Sequence, residues 1–275
     1  MVGRRRLDGE LVRRGLADSR TAAGRLIEEG RVLVAGAPAT KASRLVGPDE
    51  PVLVQGPPAR FVGRGGEKLS AALDRFAIDV RGRGAIDAGS STGGFTDCLL
   101  QAGATDVIAV DVGRGQLHPR LRADRRVDVR ERTDIRALAA SSGPPRRPVV
   151  VADLSFISVR TVAGALVALA EPGADIVVLV KPQFEAGRVE AAKAKGVIRD
   201  PAVWRRTLEG AIASVEAAGA ANMGVMVSPL RGADGNVEFL AWFRAAAEPR
   251  LPPGAVDSDV ATALQDALAT TGTAG

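Results

Sequence analysis

The 275 residues comprise 46% hydrophobic and 25% charged side chains, the make-up of a globular protein with a buried core, which excludes collagen-like and wholly disordered classes. A single cysteine, Cys98, and a single histidine, His118, exclude a disulfide scaffold and a zinc finger and suggest a reducing, cytoplasmic setting. The net charge of +5 is confined to the start of the chain. Residues 1–64 carry 12 Lys and Arg against 7 Asp and Glu, whereas the other 211 residues hold 25 of each.

A basic first quarter suits a polyanion such as nucleic acid, although a merely solvated face has the same composition. The first twenty residues are too charged for a secretory signal. The longest apolar stretch, 161–180, is broken by Glu171, Pro172 and Asp175, so no membrane span is expected. Length predicts one full α/β domain plus a small appendage.

Leu7, Leu11, Val12 and Leu16 recur at helical spacing and predict a first helix that ends near Gly15. Ser19 reads as the N-cap of a second helix through Ala22, Ala23, Leu26 and Ile27, stopped at Gly30. RVLVAG and PVLVQG predict two short strands with a loop between them. Residues 1–59 thus form a small α+β domain. Its positive face is drawn from Arg4, Arg5, Arg6, Arg13, Arg14, Arg20, Arg25, Lys41 and Arg44. The stretch LVRRGLADSRTAAGRLIEEGRVLVAG resembles the RNA-binding domain named after ribosomal small-subunit protein four, which implies that this face grips structured RNA. A basic helical protein-docking module is the alternative reading of the same face.

Residues 60–66 read as a linker and 67–246 as the large domain. GAIDAGSSTGGFTDCLLQAGATDVIAVDV alternates strand (85–87), glycine-rich turn (88–94), helix (95–101) and strand (107–111), the opening of a doubly wound sheet. Further strands are predicted at 127–130, 149–153, 176–181 and 224–228, with helices at 159–170 and 202–218. Residues 236–243 read as a final antiparallel strand paired with its predecessor, giving six or seven strands in all. The segment from 247 to 275 is expected to be a loose tail in which VATALQDAL forms at most a short helix.

The turn closes on a helix N-terminus, where backbone can approach an elongated ligand. Asp111 ends the second strand where a ribose-binding acid of a dinucleotide site would stand, but DAGSSTGG lacks the G-x-G-x-x-G spelling. An acid at the end of the first strand, Asp87, resembles instead the S-adenosylmethionine loop of class I methyltransferases, where a carboxylate addresses the cationic amino-acid end. A purely structural glycine turn remains open at this point. Asp153 and Lys181 close apolar runs at strand ends, where a doubly wound sheet places its ligand crevice. A lysine there is costly unless paired or directed into a cleft.

GRGGEKL, DAGSSTGGFTD, AVDVGRGQL, VADLSFIS, LVKPQFEAG and GNVEFL occur in the order found in the TlyA family of ribosomal-RNA 2′-O-methyltransferases, and the resemblance covers approximately residues 4–245. It implies a Rossmann-like class I fold of the FtsJ type and S-adenosylmethionine as cofactor. It also implies a cytidine ribose in small- or large-subunit ribosomal RNA as acceptor, and a link to sensitivity to peptide antibiotics that target the ribosome. A catalytic tetrad Lys68, Asp153, Lys181 and Glu238 is carried over, with Lys181 serving the 2′-hydroxyl. Gly89, Ser90, Ser91, Gly93, Gly94 and Phe95 would form the loop over the methionine part, Asp111 would bind the ribose and Asp134 the adenine. Ribosomal RNA or ribosomal subunits are the expected partner, without a membrane, a metal or an obligate protein partner.

Each tetrad member also has a plain structural reading: Lys68 as a solvated helix lysine, Glu238 as an edge-strand charge, Asp153 as a turn cap. Arg114, Arg120, Arg122, Arg125, Arg126, Arg130, Arg132 and Arg136 form a second basic cluster that either extends the RNA track or is a solvated loop. With no Tyr, seven Phe and two Trp, recognition by shape and phosphate is expected rather than stacking of several bases. Phe61 stands in the linker where the family carries tryptophan, which removes an indole N–H donor. Competing readings are a noncatalytic RNA-binding protein with a vestigial cofactor domain, a nicotinamide-dependent oxidoreductase and a membrane-active haemolysin.

Overall fold

Leu7 and Leu11 lie four residues apart, as do Ala23 and Ile27, and the helical period keeps each pair on one face. All four are buried in the computed structural model, which describes residues 3–17, 19–56, 59–232, 235–245 and 255–272. The chain divides into two compact units, Met1–Ala59 and Arg60–Gly275.

In the first unit β1 (Arg5–Arg6) leads into α1 (Leu7–Arg13), and α2 (Arg20–Glu28) follows. Ser19 Oγ accepts the Ala22 N–H at 3.1 Å and so satisfies one of the donors that a helix start leaves open. Next come β2 (Val32–Val34), β3 (Ala37–Pro38), β4 (Leu45–Val46) and β5 (Val52–Val54). β2 is the centre of an antiparallel sheet with β3 and β5, while β4 pairs with β1. Ala35 and Gly36 both have positive φ, the backbone a two-residue hairpin requires. The segment expected to be loop therefore contains two further strands, each only two residues long and too short to show alternation.

The second unit contains α3 (Gly65–Arg75), β6 (Ala85–Ala88), α4 (Gly94–Gln101), β7 (Val107–Val110), α5 (Pro119–Arg122), β8 (Val127–Arg130), α6 (Ile135–Ala139) and β9 (Arg147–Ala152). It continues through α7 (Val159–Ala168), β10 (Ala170–Val180), α8 (Pro182–Glu185), α9 (Arg188–Lys193), α10 (Pro201–Ala217), β11 (Ala220–Val227), β12 (Phe239–Ala245) and α11 (Ala255–Gly272). Seven strands form one sheet in the order β11-β12-β10-β9-β6-β7-β8, with β12 antiparallel to both neighbours and the other pairs parallel. The β10-β9-β6-β7-β8 part is doubly wound, with its strand order reversing between β6 and β9, the switch point at which such sheets bind ligands. Both faces are buried: Val149 and Val151 pack with the α3 and α4 side chains, and Val150 and Ala152 with those of α7 and α10. Apolar runs without alternation are the expected signature of such strands.

Two expectations require correction. The final strand begins at Phe239 rather than Asn236 and pairs with β10 as well as β11. Asn236 is used elsewhere: its Oδ1 accepts the Ile198 N–H at 2.9 Å and its Nδ2 donates to Gly196 O at 2.8 Å. The region expected to be a loose tail contains an 18-residue helix, α11, packed on β11 and α10. Val260, Ala263, Leu264 and Ala267 are its buried stripe, and the small alanines that let it approach closely give a weak hydrophobic signal in sequence. Residues 246–254 and 273–275 of that region lie outside the described residues.

A buried stripe predicts a stability cost. Ala267→Asp should destabilise the protein by about 3 kcal/mol, lowering the urea midpoint, because it forces a carboxylate into an apolar contact. Gln265→Asp, on the exposed side, should leave the midpoint within about 0.5 kcal/mol. Equal midpoints for the two variants would show that α11 does not pack.

Candidate active site

Parallel strands deliver their carboxyl ends to one edge of the sheet, so the residues following β6, β9 and β10, which are Gly89, Asp153 and Lys181, arrive there together. β12 runs the opposite way and brings the residue before it, Glu238, to the same edge. Val180 is registered with Phe239, and continuing that register sets Lys181 opposite Glu238. Lys181 Nζ lies 2.6 Å from Asp153 Oδ1 and donates to Ser155 Oγ at 2.9 Å. Lys68, from the start of α3, pairs with Glu238 Oε2. A Cβ on Gly65 would lie 3.5 Å from Asp153 Oδ2, so the start of α3 is packed against the same carboxylate.

Four charged groups thus meet as two ion pairs, with both lysines and Glu238 buried. Burial of one partner alone would be costly, and pairing offsets that cost. Space for the Glu238 carboxylate depends on Gly232, where a Cβ would stand 2.6 Å from Oε1.

Beside the pairs lies a cavity of about 550 Å³ whose lining includes Gly89, Ser91, Asp111, Asp134, Asp153 and Ser155. Asp111 is held by backbone: its Oδ2 accepts the Ser91 N–H at 2.8 Å and its Oδ1 the Gly113 N–H at 2.7 Å. Each oxygen keeps a further lone pair for a hydroxyl donor. Gly89 has φ 87°, and a Cβ there would meet Asp153 O at 2.5 Å, so the turn fits against β9 only as glycine. Asp134 caps α6 through the Arg136 N–H at 2.8 Å and also binds the Arg136 guanidinium, whose hydrogen bond holds its carboxyl below the usual range.

Asp87, Ser90, Gly93, Gly94 and Phe95 are buried rather than on that lining. Asp87 is completely buried. Its Oδ2 accepts the Thr96 hydroxyl at 2.6 Å, and its Oδ1 has no partner. Burial, with Asp153 and Asp111 adding to it, pushes its pKa up to about 7 against the pull of the Thr96 hydrogen bond. Gly93 faces Leu121, and Gly94 abuts the linker, where a Cβ would be 3.0 Å from Gly66 N and 3.2 Å from Gly63 O. Phe61 lies against Gly66 and under the Arg60 guanidinium, 4.7 Å from its ring centre.

Sequence reasoning missed several participants. Ser155 is the second partner of Lys181, and its position two residues after Asp153 in VADLSFIS was the available signal. Phe156 is 91% exposed with φ 65°, lines the cavity and lies 5.1 Å from the Phe184 ring. Buried Asp97 accepts the Val62 N–H at 2.9 Å and pairs with Arg120 at 2.8 Å, fastening the linker to α4. Nothing in its sequence context marks that contact.

The basic residues are less free than their number suggests. In the first unit Arg6 and Arg20 bind Asp8, Arg13 and Arg14 bind Glu10, and Arg44 binds Glu50. Arg4, Arg5, Arg25 and Lys41 stand outside these pairs. In the second cluster Arg120, Arg122, Arg126, Arg130 and Arg136 each have an acidic partner.

Residues 61–245 match the model of the FtsJ-like methyltransferases and residues 5–52 that of the S4 domain. The chain is 45% identical over 267 residues to the 16S/23S rRNA (cytidine-2′-O)-methyltransferase TlyA of Mycobacterium tuberculosis, covering 97% of this chain and 99% of the relative. The chain belongs to the TlyA family of FtsJ-like methyltransferases. Hemolysin A of Brachyspira hyodysenteriae is 38% identical, with 86% and 99% covered. A solved structure from Streptococcus thermophilus, described as a candidate hemolysin, has a TM-score of 0.74 at 33% identity and covers 98% of this chain and 99% of its own. Among the described residues of this TlyA-family chain, no helix is long and apolar enough to cross a membrane.

S-adenosylmethionine fits the residues present. The unpartnered Asp87 oxygen suits a ligand with cationic groups, the glycine turn admits close approach, and Asp111 can accept from ribose hydroxyls.

The raised Asp87 pKa has a defined sign. In the folded protein the neutral acid is favoured, so its contribution to stability is full below about pH 4 and is lost as pH rises through about 7. A cationic ligand favours the ionised form instead. Cofactor affinity should therefore rise by up to about tenfold per pH unit below 7 and level off above it. Calorimetric titration from pH 5.5 to 8.5 checks this, and Asp87→Asn should flatten the profile.

Proposed function

We propose that this chain transfers a methyl group from S-adenosylmethionine to the 2′-hydroxyl of a cytidine in ribosomal RNA, in the cytoplasm. The observation that carries the reading is Lys181, held by two residues of the cavity lining, Asp153 Oδ1 at 2.6 Å and Ser155 Oγ at 2.9 Å, with the Lys68–Glu238 pair beside it. Kinship to a relative named for that reaction supplies the acceptor.

A ribose hydroxyl is a weak nucleophile, and the barrier falls when the charge developing on its oxygen is stabilised while its proton passes to solvent and S-adenosylhomocysteine departs. S-adenosylmethionine supplies a methyl group on a positively charged sulfur. Two of the three ammonium donors of Lys181 face Asp153 and Ser155, which leaves the third for the 2′-oxygen. Asp153 and Glu238 pair with the lysines and fix their direction, and Lys68 balances the charge of Glu238. Asp111 orients the ribose of the cofactor, and Gly89 and Ser91 form the wall beside it. The S4 domain holds folded RNA by its phosphates, and Arg4, Arg5, Arg25 and Lys41, which stand outside the ion pairs found among the described residues, add to that grip.

Lys181→Ala should lower methyl transfer from radiolabelled S-adenosylmethionine to unmethylated ribosomal subunits by about 10²- to 10³-fold while cofactor affinity changes little. Gly232→Ala, which forces a methyl group onto the Glu238 carboxylate, should reduce turnover about tenfold with the fold retained. A wild-type protein that binds the cofactor but labels neither subunits nor free ribosomal RNA would refute the acceptor.

A further inference from the structure

The two buried carboxylates of α1, Asp8 and Glu10, each hold two arginines, but to different ends. Glu10 is 1% exposed and takes Arg13 and Arg14. Arg14 then spends its remaining donors on the carbonyls of Gly47, Pro48 and Glu50, at 3.1, 2.9 and 2.8 Å. That set braces the 47–50 turn and offers one arm of Arg13 outward.

Asp8 is likewise buried and accepts the Gly9 N–H at 2.8 Å. Arg6 approaches it through Nε at 3.2 Å and Nη2 at 2.9 Å, and Arg20 through Nη2 alone, at 3.1 and 3.3 Å from the two oxygens. Neither guanidinium is consumed by the fold: the side chains are 49% and 61% exposed.

We propose that Asp8 positions Arg6 and Arg20 as a two-armed seat for a single phosphodiester of folded RNA, an inference that rests on the RNA-binding reading above. A guanidinium has five N–H donors in a rigid plane. Arg20 commits one nitrogen, leaving Nε and Nη1, and Arg6 keeps Nη1. Two cations around one anion leave a net charge of +1, which one phosphate neutralises. Because both arms are already fixed, less freedom is lost when the phosphate arrives than with mobile surface arginines. The Arg6 hydrogen bond, aided by that of Gly9 and by Arg20, holds the Asp8 carboxyl down to about 2, so the anion that organises the seat persists at every working pH. The acids and bases facing this carboxylate are Arg6 from β1 and Arg20 from α2.

The test exploits a conflict of sign. Asp8→Asn removes a negative charge, so simple attraction to a polyanion predicts tighter RNA binding. Loss of a positioned seat predicts weaker binding. Filter binding of the full-length chain to radiolabelled small- and large-subunit ribosomal RNA should show affinity about tenfold lower for Asp8→Asn and for Arg20→Ala, with the salt slope of Arg20→Ala smaller by about 1. Arg20→Lys, which keeps the charge but not the planar fork, should lose most of the same affinity, a readout that does not depend on Asp8 variants folding. In an Arg6→Ala/Arg20→Ala background, Asp8→Asn should have no further effect.

Asp8→Asn binding as tightly as wild type, or tighter, overturns the proposal. So does an equal loss in the double-alanine background, which would mean that Asp8 acts through folding alone. Failure of the wild-type chain to bind either RNA instead removes the underlying RNA-binding reading, and the seat with it.

Discussion

A charged side chain at the end of an apolar, doubly covered strand must meet an opposite charge, and the sheet is arranged around that requirement. Lys181 ends β10 among side chains that cannot solvate it, and Asp153 at the end of neighbouring β9 lies 2.6 Å away. The parallel pairing of β9 and β10 brings the ends of both strands to one edge of the sheet, where these two residues meet. The second pair needs the antiparallel strand. If β12 ran with its neighbours, Glu238 would stand at the opposite edge and Lys68 would be buried without a counter-charge, a cost of several kcal/mol. Sheet topology and site chemistry are therefore one problem with one solution.

Much of this arrangement is readable in the chain because burial on both faces writes an unmistakable pattern. VVVAD and IVVLVK contain no alternation, end in a charge and are followed by turn residues, which locates both the strand and the edge. The four charged residues could be grouped only through the order of their motifs, since Lys68 and Glu238 are 170 positions apart and nothing local joins them. Other features left no trace. The two-residue strands β3 and β4 are shorter than any period. α11 hides its buried face behind alanines, and Asn236 looks like a strand residue until its two bonds to the 196–198 loop are seen.

Charge content misleads in a related way. Counting arginines in 114–136 suggests a strongly basic surface, yet five of the eight bind an acid, three of them two residues away, as in Asp124–Arg126, Asp128–Arg130 and Asp134–Arg136. Such exposed pairs contribute little to stability, but they reduce the field that a polyanion experiences. The first unit differs at Asp8 and Glu10, which are buried while Arg6, Arg13 and Arg20 remain exposed, so charge there is directed outward rather than cancelled. A partner meets positions, whereas composition reports only totals.

The contact between the linker and the glycine turn leaves almost no clearance: Gly63 faces Thr92 Oγ1, Gly66 faces Phe61, and Gly94 faces the linker glycines 63, 65 and 66. A joint with no slack transmits displacement in either direction without needing a lever or a spring. A methyl group added at Gly94 would have to be accommodated by linker backbone, one at Gly66 by the Phe61 ring and one at Gly63 by the Thr92 hydroxyl. Enlarging any of the three therefore disturbs the linker, the turn or the side chains that join them, so the joint has no position at which bulk is free.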